Sequence, residues 1–575
     1  MLNTLKKYWN YDNFRPLQAE IIQSVLDGRD TLALMPTGGG KSLCFQVPTM
    51  VMGGLCLVIT PLISLMKDQV ENLRCRDIRA AAIYTGMSYE QQKVALDNCQ
   101  WGPYHFLYVS PERLESEEFR ERLARLPICL IAVDEAHCIS QWGYDFRPSY
   151  LKIAEIREVI RRKGNEAIRR EVPILALTAT ATPDVVDDIQ ERLAFREKNV
   201  LSKSFLRANL SYVVRQTNKK ADEIVHILSK VPGSAIVYVR NRQRAQELAT
   251  YLNEKGLSAD FYHAGLTAKE RAAKQEAWKI GEKAMRREGE RSGTRVIVAT
   301  NAFGMGIDKP DVRVVIHHDL PDTIEAYFQE AGRAGRDEQK AFAVMLYDPA
   351  QDKAKARKRV ADNYPPEEFL HTVYHKTCNY LGVGADSGQG ATFFLDVYDL
   401  CQKMHLPILT TYSALHLLSQ MGYFSFEEDQ EIQPRVQIRV QRRELDNYNL
   451  TDAQMALLES LMREYTGIFT DLQYVRGIDD HTHKLLVSLA EKRVISYVSR
   501  TVANVLRLTV NRQGEIRVPE HFYSQRKDHY VDKLKAMVEY ADNQLYCRSQ
   551  LLLSYFGEND AITCGTCDIC RKNRS

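Results

Sequence analysis

No apolar run in this 575-residue sequence approaches the roughly 18 residues that a membrane-spanning helix needs. The opening segment MLNTLKKYWNYDNF also lacks the apolar stretch of a secretory leader. Charge of one sign is lacking too: 77 Lys and Arg nearly cancel 74 Asp and Glu, leaving +3. No whole-protein field therefore draws the chain to a polyanion, and any such site must be a local patch. Clustered cysteine is absent from most of the chain. Of the 12 cysteines, Cys44, Cys56, Cys75, Cys99, Cys129, Cys138, Cys378 and Cys401 stand singly, mostly in apolar contexts where a free thiol behaves as a small hydrophobe. These absences lead to the expectation of a cytoplasmic protein with no membrane partner. The length, too great for one core, gives about three to five domains.

What is present begins with alternation. From Asp30 to Arg207 short apolar runs (TLALMP, LCLVITP, FLYVSP, CLIAVDEAH, PILALTATAT) alternate with helical patterns, as buried parallel strands do. The first run opens into PTGGGKS, Pro36–Ser42, a glycine-rich turn before a helix. There Thr37, Gly38, Gly39 and Gly40 offer backbone N–H groups to phosphates, Lys41 reaches the outer phosphates and Ser42 a magnesium ion. The strict P-loop pattern asks for Gly where Met35 stands. Asp134 and Glu135 follow the strand CLIAV, where one acid holds magnesium and its neighbour polarises the attacking water. A second alternation runs from AIVYVRNR through VIVATNAFGMGIDKPDVRVVIHHDLP to FQEAGRAGRDEQ. In it Arg333 and Arg336, three apart, share one face for presentation to a γ-phosphate, with Gln329 beside them.

The ordered set FRPLQ, PTGGGKS, TPLISLMKDQ, VSPERL, DEAH, ALTATAT, VATNAFGMGIDKPDVR and QEAGRAGRD resembles the RecQ family of superfamily 2 DNA helicases over about the first 350 residues. The resemblance implies two RecA-like domains with ATP between them and 3′-to-5′ movement on single-stranded DNA. It implies that Tyr11 and Arg15 sandwich the adenine and Gln18 reads its edge, although Asn10 and Leu17 stand where the family often has Gly. Gly304 and Asp308 join the nucleotide site, and Ser64, Lys67 and Gln69 the DNA track. It further implies that the stretch after DEAH, ISQWGYDFRPSY, senses single-stranded DNA through Trp142, Phe146 and Arg147, since bases of any sequence stack on aromatic side chains.

The second half is ordered differently. Cys547, Cys564, Cys567 and Cys570 form C-x16-C-x2-C-x2-C, a ligand set for tetrahedral zinc with disulfides as the alternative, in a segment resembling the RecQ zinc module. Between the second alternation and this module, Thr410–Val440 and Asp452–Val510 each read as helix then hairpin, a winged-helix layout in tandem. The first hairpin would be tipped by Glu427, Glu428 and Asp429, and the second would carry Arg500 near its turn toward DNA. A charged stretch, Lys279–Arg295, extends the approach to the VIVATNAFGMG strand and is assigned no role.

The expected fold is therefore α/β: a RecA-like domain over 1–207, a second over 208–350, a winged-helix-like insertion over 351–525 and a zinc-binding helical module over 526–575. The expected function is an ATP-, magnesium- and zinc-dependent DNA helicase for single-stranded and forked DNA in repair and recombination, in bacterial cytoplasm or nucleoid. Glu135 would be the base and Arg336 the arginine finger with Arg333 assisting. An RNA-dependent ATPase and a non-catalytic DNA-binding scaffold are the alternatives.

Overall fold

The computed structural model describes residues 1–36, 38–84, 87, 89–140, 147–163, 172–281, 293–303, 309–432, 434–464, 473–474, 478–499 and 501–574. The expected apolar runs form strands. β1 (Thr31–Leu34), β2 (Leu55–Ile59), β3 (Ala80–Ile83), β4 (Phe106–Val109), β5 (Ile128–Val133), β6 (Ile174–Thr178) and β7 (Val200–Ser202) make one sheet in the order β3-β4-β2-β5-β6-β1-β7, with parallel pairs throughout. β2 reads LCLVI with every residue buried, because helices cover both faces of a parallel sheet. Each such Leu, Ile or Val withdrawn from water contributes about 1.5–3 kcal/mol.

The second sheet is built in the same way. β8 (Leu210–Gln216), β9 (Ser234–Tyr238), β10 (Ala259–Tyr262), β11 (Val296–Ala299), β12 (Val312–His317) and β13 (Ala341–Tyr347) lie in the order β10-β11-β9-β12-β13-β8, again parallel. The turns that carry motifs fall at the carboxyl ends of strands in both sheets, where open α/β sheets place ligands.

The chain divides into two compact units, Met1–Arg359 with Gln525–Ser575, and Val360–Ser524. The division falls within the Pro349–Asn363 helix rather than at residue 351, because Arg359 is still tied to the second sheet's loops through Leu320 O at 2.9 Å. The cysteine-bearing segment expected over 526–575 is not a separate body. Met537, Tyr540, Leu552, Leu553 and Phe556 share a core with Phe205, Tyr327 and Phe328, and Glu558 accepts hydrogen bonds from Ser204 Oγ and Phe205 N, both 2.7 Å.

The Val360–Ser524 unit corrects the tandem reading. Helix Glu367–Tyr380, β14 (Thr392–Leu395), helices Val397–Met404 and Ile408–Gln420, β15 (Phe424–Ile432) and β19 (Thr501–Leu508) give the helix, strand, helix, helix, strand, strand order of a winged helix. Its sheet order is β14-β19-β15. Everything between β15 and β19 is a second module with its own core around Leu458, Leu486, Leu489 and Ile495. That module holds β16 (Arg435–Ile438), helix Asp452–Glu464, β17 (Gln473–Tyr474), helix Asp480–Glu491 and β18 (Ile495–Val498), in sheet order β17-β16-β18. The modules are thus nested rather than consecutive, and the inner one has the central strand of its sheet first in sequence instead of last.

The register explains the nesting. Ile432 pairs with Thr501 and Arg435 with Val498, so the register at the end of β15 and β19 is the one that β16 and β18 take up. Glu427, Glu428 and Asp429 are therefore not a hairpin tip. They lie inside β15 at a bulge between Glu427 and Gln430, flanked by Phe424 and Phe426, which join Leu506 and Leu508 in the core and keep the strand running. Glu428 is engaged by His416. Arg500 lies outside the described residues.

Candidate active site

The glycine-rich turn is shaped by two left-handed glycines, Gly38 (φ 81°) and Gly40 (φ 78°). It is gripped from behind. Arg15 Nη1 donates to Gly38 O at 2.7 Å, and Gln18 Nε2 donates to Gly40 O at 3.0 Å while its Oε1 accepts from Arg15 N at 2.9 Å. Gln18 is buried and Tyr11 is exposed. The segment expected to read adenine thus also fixes the phosphate turn. Asn10 (φ 56°) and Leu17 (φ 73°) both adopt the left-handed conformation, so the backbone keeps the turns that Gly would favour despite the side chains present.

Beside the turn, Ser42 Oγ accepts from Gln69 Nε2 at 3.1 Å, and Gln69 Oε1 accepts from Gln46 Nε2 at 3.2 Å. Ser42 retains a second lone pair for a cation. Asp134, directly after β5, is half-buried, with Glu135 N donating to its Oδ1 at 3.0 Å and Tyr150 OH donating to its backbone oxygen at 3.1 Å. Burial, and next the Glu135 carboxylate, push the Asp134 carboxyl up; Lys41 opposes them. For Glu135, burial also acts upward, but Lys41, His137 and Arg333 together hold it below the usual carboxylate range. Glu135 sits at φ 48° and its Oε2 is buried without a hydrogen bond, 3.4 Å from His137 Nδ1. Two half-buried carboxylates that both feel the charge of one lysine make a donor set suited to a divalent cation. An ionised, hydrogen-bond-free oxygen is what a base for water requires. His137 Nδ1 also meets Thr178 Oγ1 at 2.9 Å, joining DEAH to the ALTATAT strand.

The second sheet supplies the opposing cations. Thr323 caps the helix Ile324–Ala331 by accepting from Ala326 N at 3.1 Å, and the chain then turns through Gly332–Gly335. Gly335 (φ 62°) admits no side chain, because a Cβ would stand 2.6 Å from Asn209 Nδ2. Arg207 Nη2 donates to the oxygens of Ala334 (3.0 Å) and Gly335 (2.9 Å). On this fixed turn the buried Arg333 lies near enough to Glu135 for its charge to raise that residue's acidity, and Arg336 lies against Gly38, its Cγ 3.3 Å from where a Cβ would be. An arginine after one sheet therefore lies against the phosphate turn of the other, and a second acts electrostatically on its base.

At the C-terminal end, the Sγ atoms of Cys547, Cys564, Cys567 and Cys570 all lie within 4.8 Å of one another. Cys564 N donates to Cys547 Sγ at 3.3 Å, and Cys567 N and Cys570 N to the preceding cysteine sulfurs at 3.4 Å each. Four sulfurs with backbone N–H donors turned to them fit a tetrahedral zinc with bonds of about 2.3 Å. The buried Arg548 anchors the cluster through Asp568, Nη2 to Oδ2 at 3.1 Å, and Asp568 in turn accepts from Val214 N of β8 at 3.4 Å.

Three family patterns match the chain: DEAD/DEAH box helicase over residues 15–189, helicase conserved C-terminal domain over 219–338 and RecQ zinc-binding over 509–571. An ATP-dependent DNA helicase RecQ of Haemophilus influenzae is 41% identical over 390 residues, covering 66% of this chain and 60% of that protein. A probable ATP-dependent DNA helicase RecS of Bacillus subtilis is 40% identical over 375 residues, covering 64% of this chain and 71% of that protein. The chain belongs to the RecQ family. It spans about three fifths of the first relative's length. A crystal structure of the DUF1998 helicase MrfA bound to DNA, 18% identical with a TM-score of 0.50 and covering 73% of this chain and 60% of that one, shares the fold.

Within this RecQ-family chain the structure gathers Gly38, Gly39, Gly40, Lys41, Ser42, Asp134, Glu135, Arg333 and Arg336 about one site, with Gln329 buried on the helix that precedes the arginines. Gln69, expected on the DNA track, touches Ser42, while Lys67 is exposed with its Nζ 4.9 Å from the Tyr84 ring centre. Arg147 is held at the foot of the aromatic loop, its N donating to Cys138 O at 2.8 Å and its Nη1 to Pro61 O at 3.4 Å. Thr37, Trp142, Phe146, Gly304 and Asp308, the Ser64 side chain and residues 282–292 of the charged extension lie outside the described residues. Sequence reasoning missed Gln46, Thr178, Arg207 and Asn209. Only Thr178, inside ALTATAT, carried a local signal; the others matter through partners far away in the chain.

Proposed function

We propose that this chain is an ATP-dependent 3′-to-5′ DNA helicase of the RecQ type, whose hydrolysis is stimulated by single-stranded DNA. The observation that carries the reading is the approach of Arg336 to the phosphate turn at Gly38, with Arg333 on the same segment holding the acidity of Glu135 up. In the working cycle Lys41 and the turn's backbone N–H groups bind the outer phosphates, and Glu135 Oε2 accepts the proton of the attacking water. Arg336 meets the charge that develops on the γ-phosphate, and Arg333 keeps Glu135 ionised. Ser42 and Asp134 would hold a magnesium ion, which supplies positive charge against the phosphate oxygens.

Trp142, Phe146 and Arg147 would report single-stranded DNA to this cleft, since Arg147 sits between the DEAH turn at Cys138 and the TPLIS segment at Pro61. Single-stranded and forked DNA in repair and recombination are the substrates this reading assigns, in a bacterial cytoplasm or nucleoid. The zinc held by the four cysteines is structural.

The test is ATP hydrolysis with no nucleic acid, with single-stranded DNA and with RNA of the same length, followed by unwinding of duplexes carrying 3′ or 5′ tails. DNA-selective stimulation and opening of only the 3′-tailed duplex are expected. Equal stimulation by RNA, or opening of only 5′-tailed duplexes, would refute it.

A further inference from the structure

The helix Ile324–Ala331, which leads into both cleft arginines, is clamped at its outer end by the two chain segments that flank the inserted Val360–Ser524 unit. On the outgoing side Arg359 Nη1 donates to Asp322 Oδ1 at 2.7 Å and to Leu320 O at 2.9 Å. On the returning side Tyr530 OH donates to Asp322 Oδ1 at 3.3 Å, and Lys533 Nζ pairs with Glu325 Oε1 at 2.9 Å. We infer that these contacts set the register of the arginine-bearing segment, making Arg359 and Lys533, with their partners Asp322 and Glu325, positioning residues for ATP hydrolysis. The inference rests on the proposed role of Arg336.

The chemistry of the contacts supports register-setting over simple adhesion. Apolar packing is already plentiful: Tyr540 lies 5.4 Å from Tyr327 and Phe556 5.1 Å from Phe328, ring centre to ring centre. Such contacts have little direction, and a two-turn helix can slide or roll on them. The Lys533–Glu325 pair is buried, with side chains 8% and 3% exposed. Burying two charges costs several kcal/mol per ion, and an apolar pair of similar volume is often as stable, so stability alone does not call for the pair. What an ion pair adds is a fixed point. Tyr530 and Lys533 share a face of their helix, and Asp322 and Glu325 stand one turn apart, so the grips are in step.

The far end of the segment is equally fixed, by Arg207 and Asn209 on the oxygens of Ala334 and Gly335. Arg333 thus lies between two clamps and Arg336 immediately beyond the second. One clamp is built from residues at the junctions of the inserted unit, so a change in those junctions is felt at the cleft. A misplacement of about 1 Å at a reacting centre can cost a hundredfold in rate.

The experiment uses the full chain with its zinc. Lys533→Met leaves Glu325 buried and unpaired, and folding can suffer. Glu325→Met with Lys533→Met removes both charges and keeps the volume. Lys533→Arg restores the cation, and Arg336→Ala serves as reference. Expected for the double variant are parental melting temperature and zinc content, an ATP KM within about twofold, and a DNA-stimulated kcat lowered about tenfold, as a misplacement of some 0.5 Å would give. Lys533→Arg recovers most of that loss. A folded, zinc-loaded double variant with parental kcat overturns the inference, as does a fall in kcat matched by an equal rise in KM. A parental rate in Arg336→Ala overturns instead the reading on which the inference rests.

Discussion

Placing a methyl group on Gly38 tests the arginine's approach to the phosphate turn at its closest point. Gly38 has φ 81°, where a side chain is strained, and the new Cβ would stand 3.3 Å from Arg336 Cγ and 3.4 Å from its Cδ, so the arginine must retreat by a few tenths of an ångström. Gly28 supplies the control: at φ 77° it carries the same backbone strain with nothing within 4 Å of the added atom. Both substitutions should cost roughly 1 kcal/mol in stability from the left-handed backbone. Only Gly38→Ala should slow the chemistry. If about 1 Å of misplacement is worth a hundredfold, a retreat of some 0.3–0.5 Å is worth about four- to tenfold, or roughly 0.8–1.4 kcal/mol of transition-state stabilisation. The assay is steady-state ATP hydrolysis at saturating single-stranded DNA, with nucleotide affinity measured separately and thermal melts for both variants. Equal kcat for Gly28→Ala and Gly38→Ala would refute the close approach of Arg336.

Glu135→Gln should abolish turnover while nucleotide binding survives, because Lys41 and the turn are untouched; near-parental hydrolysis would remove this carboxylate from its role. Cys567→Ser should lose bound zinc and, since metal binding contributes directly to folding such modules, expose Tyr540 and Phe556 to limited proteolysis; retained metal and resistance would contradict the four-thiolate site. Replacing Val360–Ser524 by a short flexible linker should spare DNA-stimulated hydrolysis and lower unwinding of forks; a zinc-loaded deletion that opens forks like the parent would leave the inserted unit without a part in DNA handling. Burial pushes the Asp322 carboxyl up, but Arg240 and Arg359 hold it below the usual range, so its stabilisation is present above the unfolded value of about 3.9 and fades as pH falls through the lower folded one. The stability gap between parent and Asp322→Asn should accordingly narrow below about pH 4, and a gap that widens there would show the sign to be wrong.

The parallel sheets were legible because their strands are local objects. A run such as LCLVI announces burial on both faces without reference to the rest of the chain, and PTGGGKS and DEAH each carry their chemistry within a few residues. The zinc ligands were legible for the same reason, three of the four lying within seven residues. The nested winged helix was not. β15 finds its partner β19 only after an intervening module, and the acidic run Glu427–Asp429 imitates a loop tip while Phe424 and Phe426 beside it hold the strand to the core. Gln69 shows the limit in the site itself. Its motif pointed to DNA and gave no sign that its amide spans Gln46 and Ser42, a contact set by where the helix Ile63–Arg74 docks. Asn10 and Leu17 show the converse, since the left-handed backbone there survives without glycine.

The discontinuity of the first unit bears on how the protein is made. Tyr327 and Phe328 emerge from the ribosome long before their partners Tyr540 and Phe556, which follow after roughly 200 residues, or some 10–40 s at 5–20 residues per second. Throughout that interval the second sheet presents an uncovered aromatic surface, while the whole inserted unit is synthesised and can fold on its own core. The ATPase motifs are complete by Arg336, yet the helix that leads into the arginines, resting until then on Phe205, Tyr212 and His317, lacks the rest of its seat until the last fifty residues arrive. A chain interrupted anywhere in the inserted unit would therefore hold every nucleotide-binding motif and still leave that aromatic face open to chaperones, proteases and other unfinished chains.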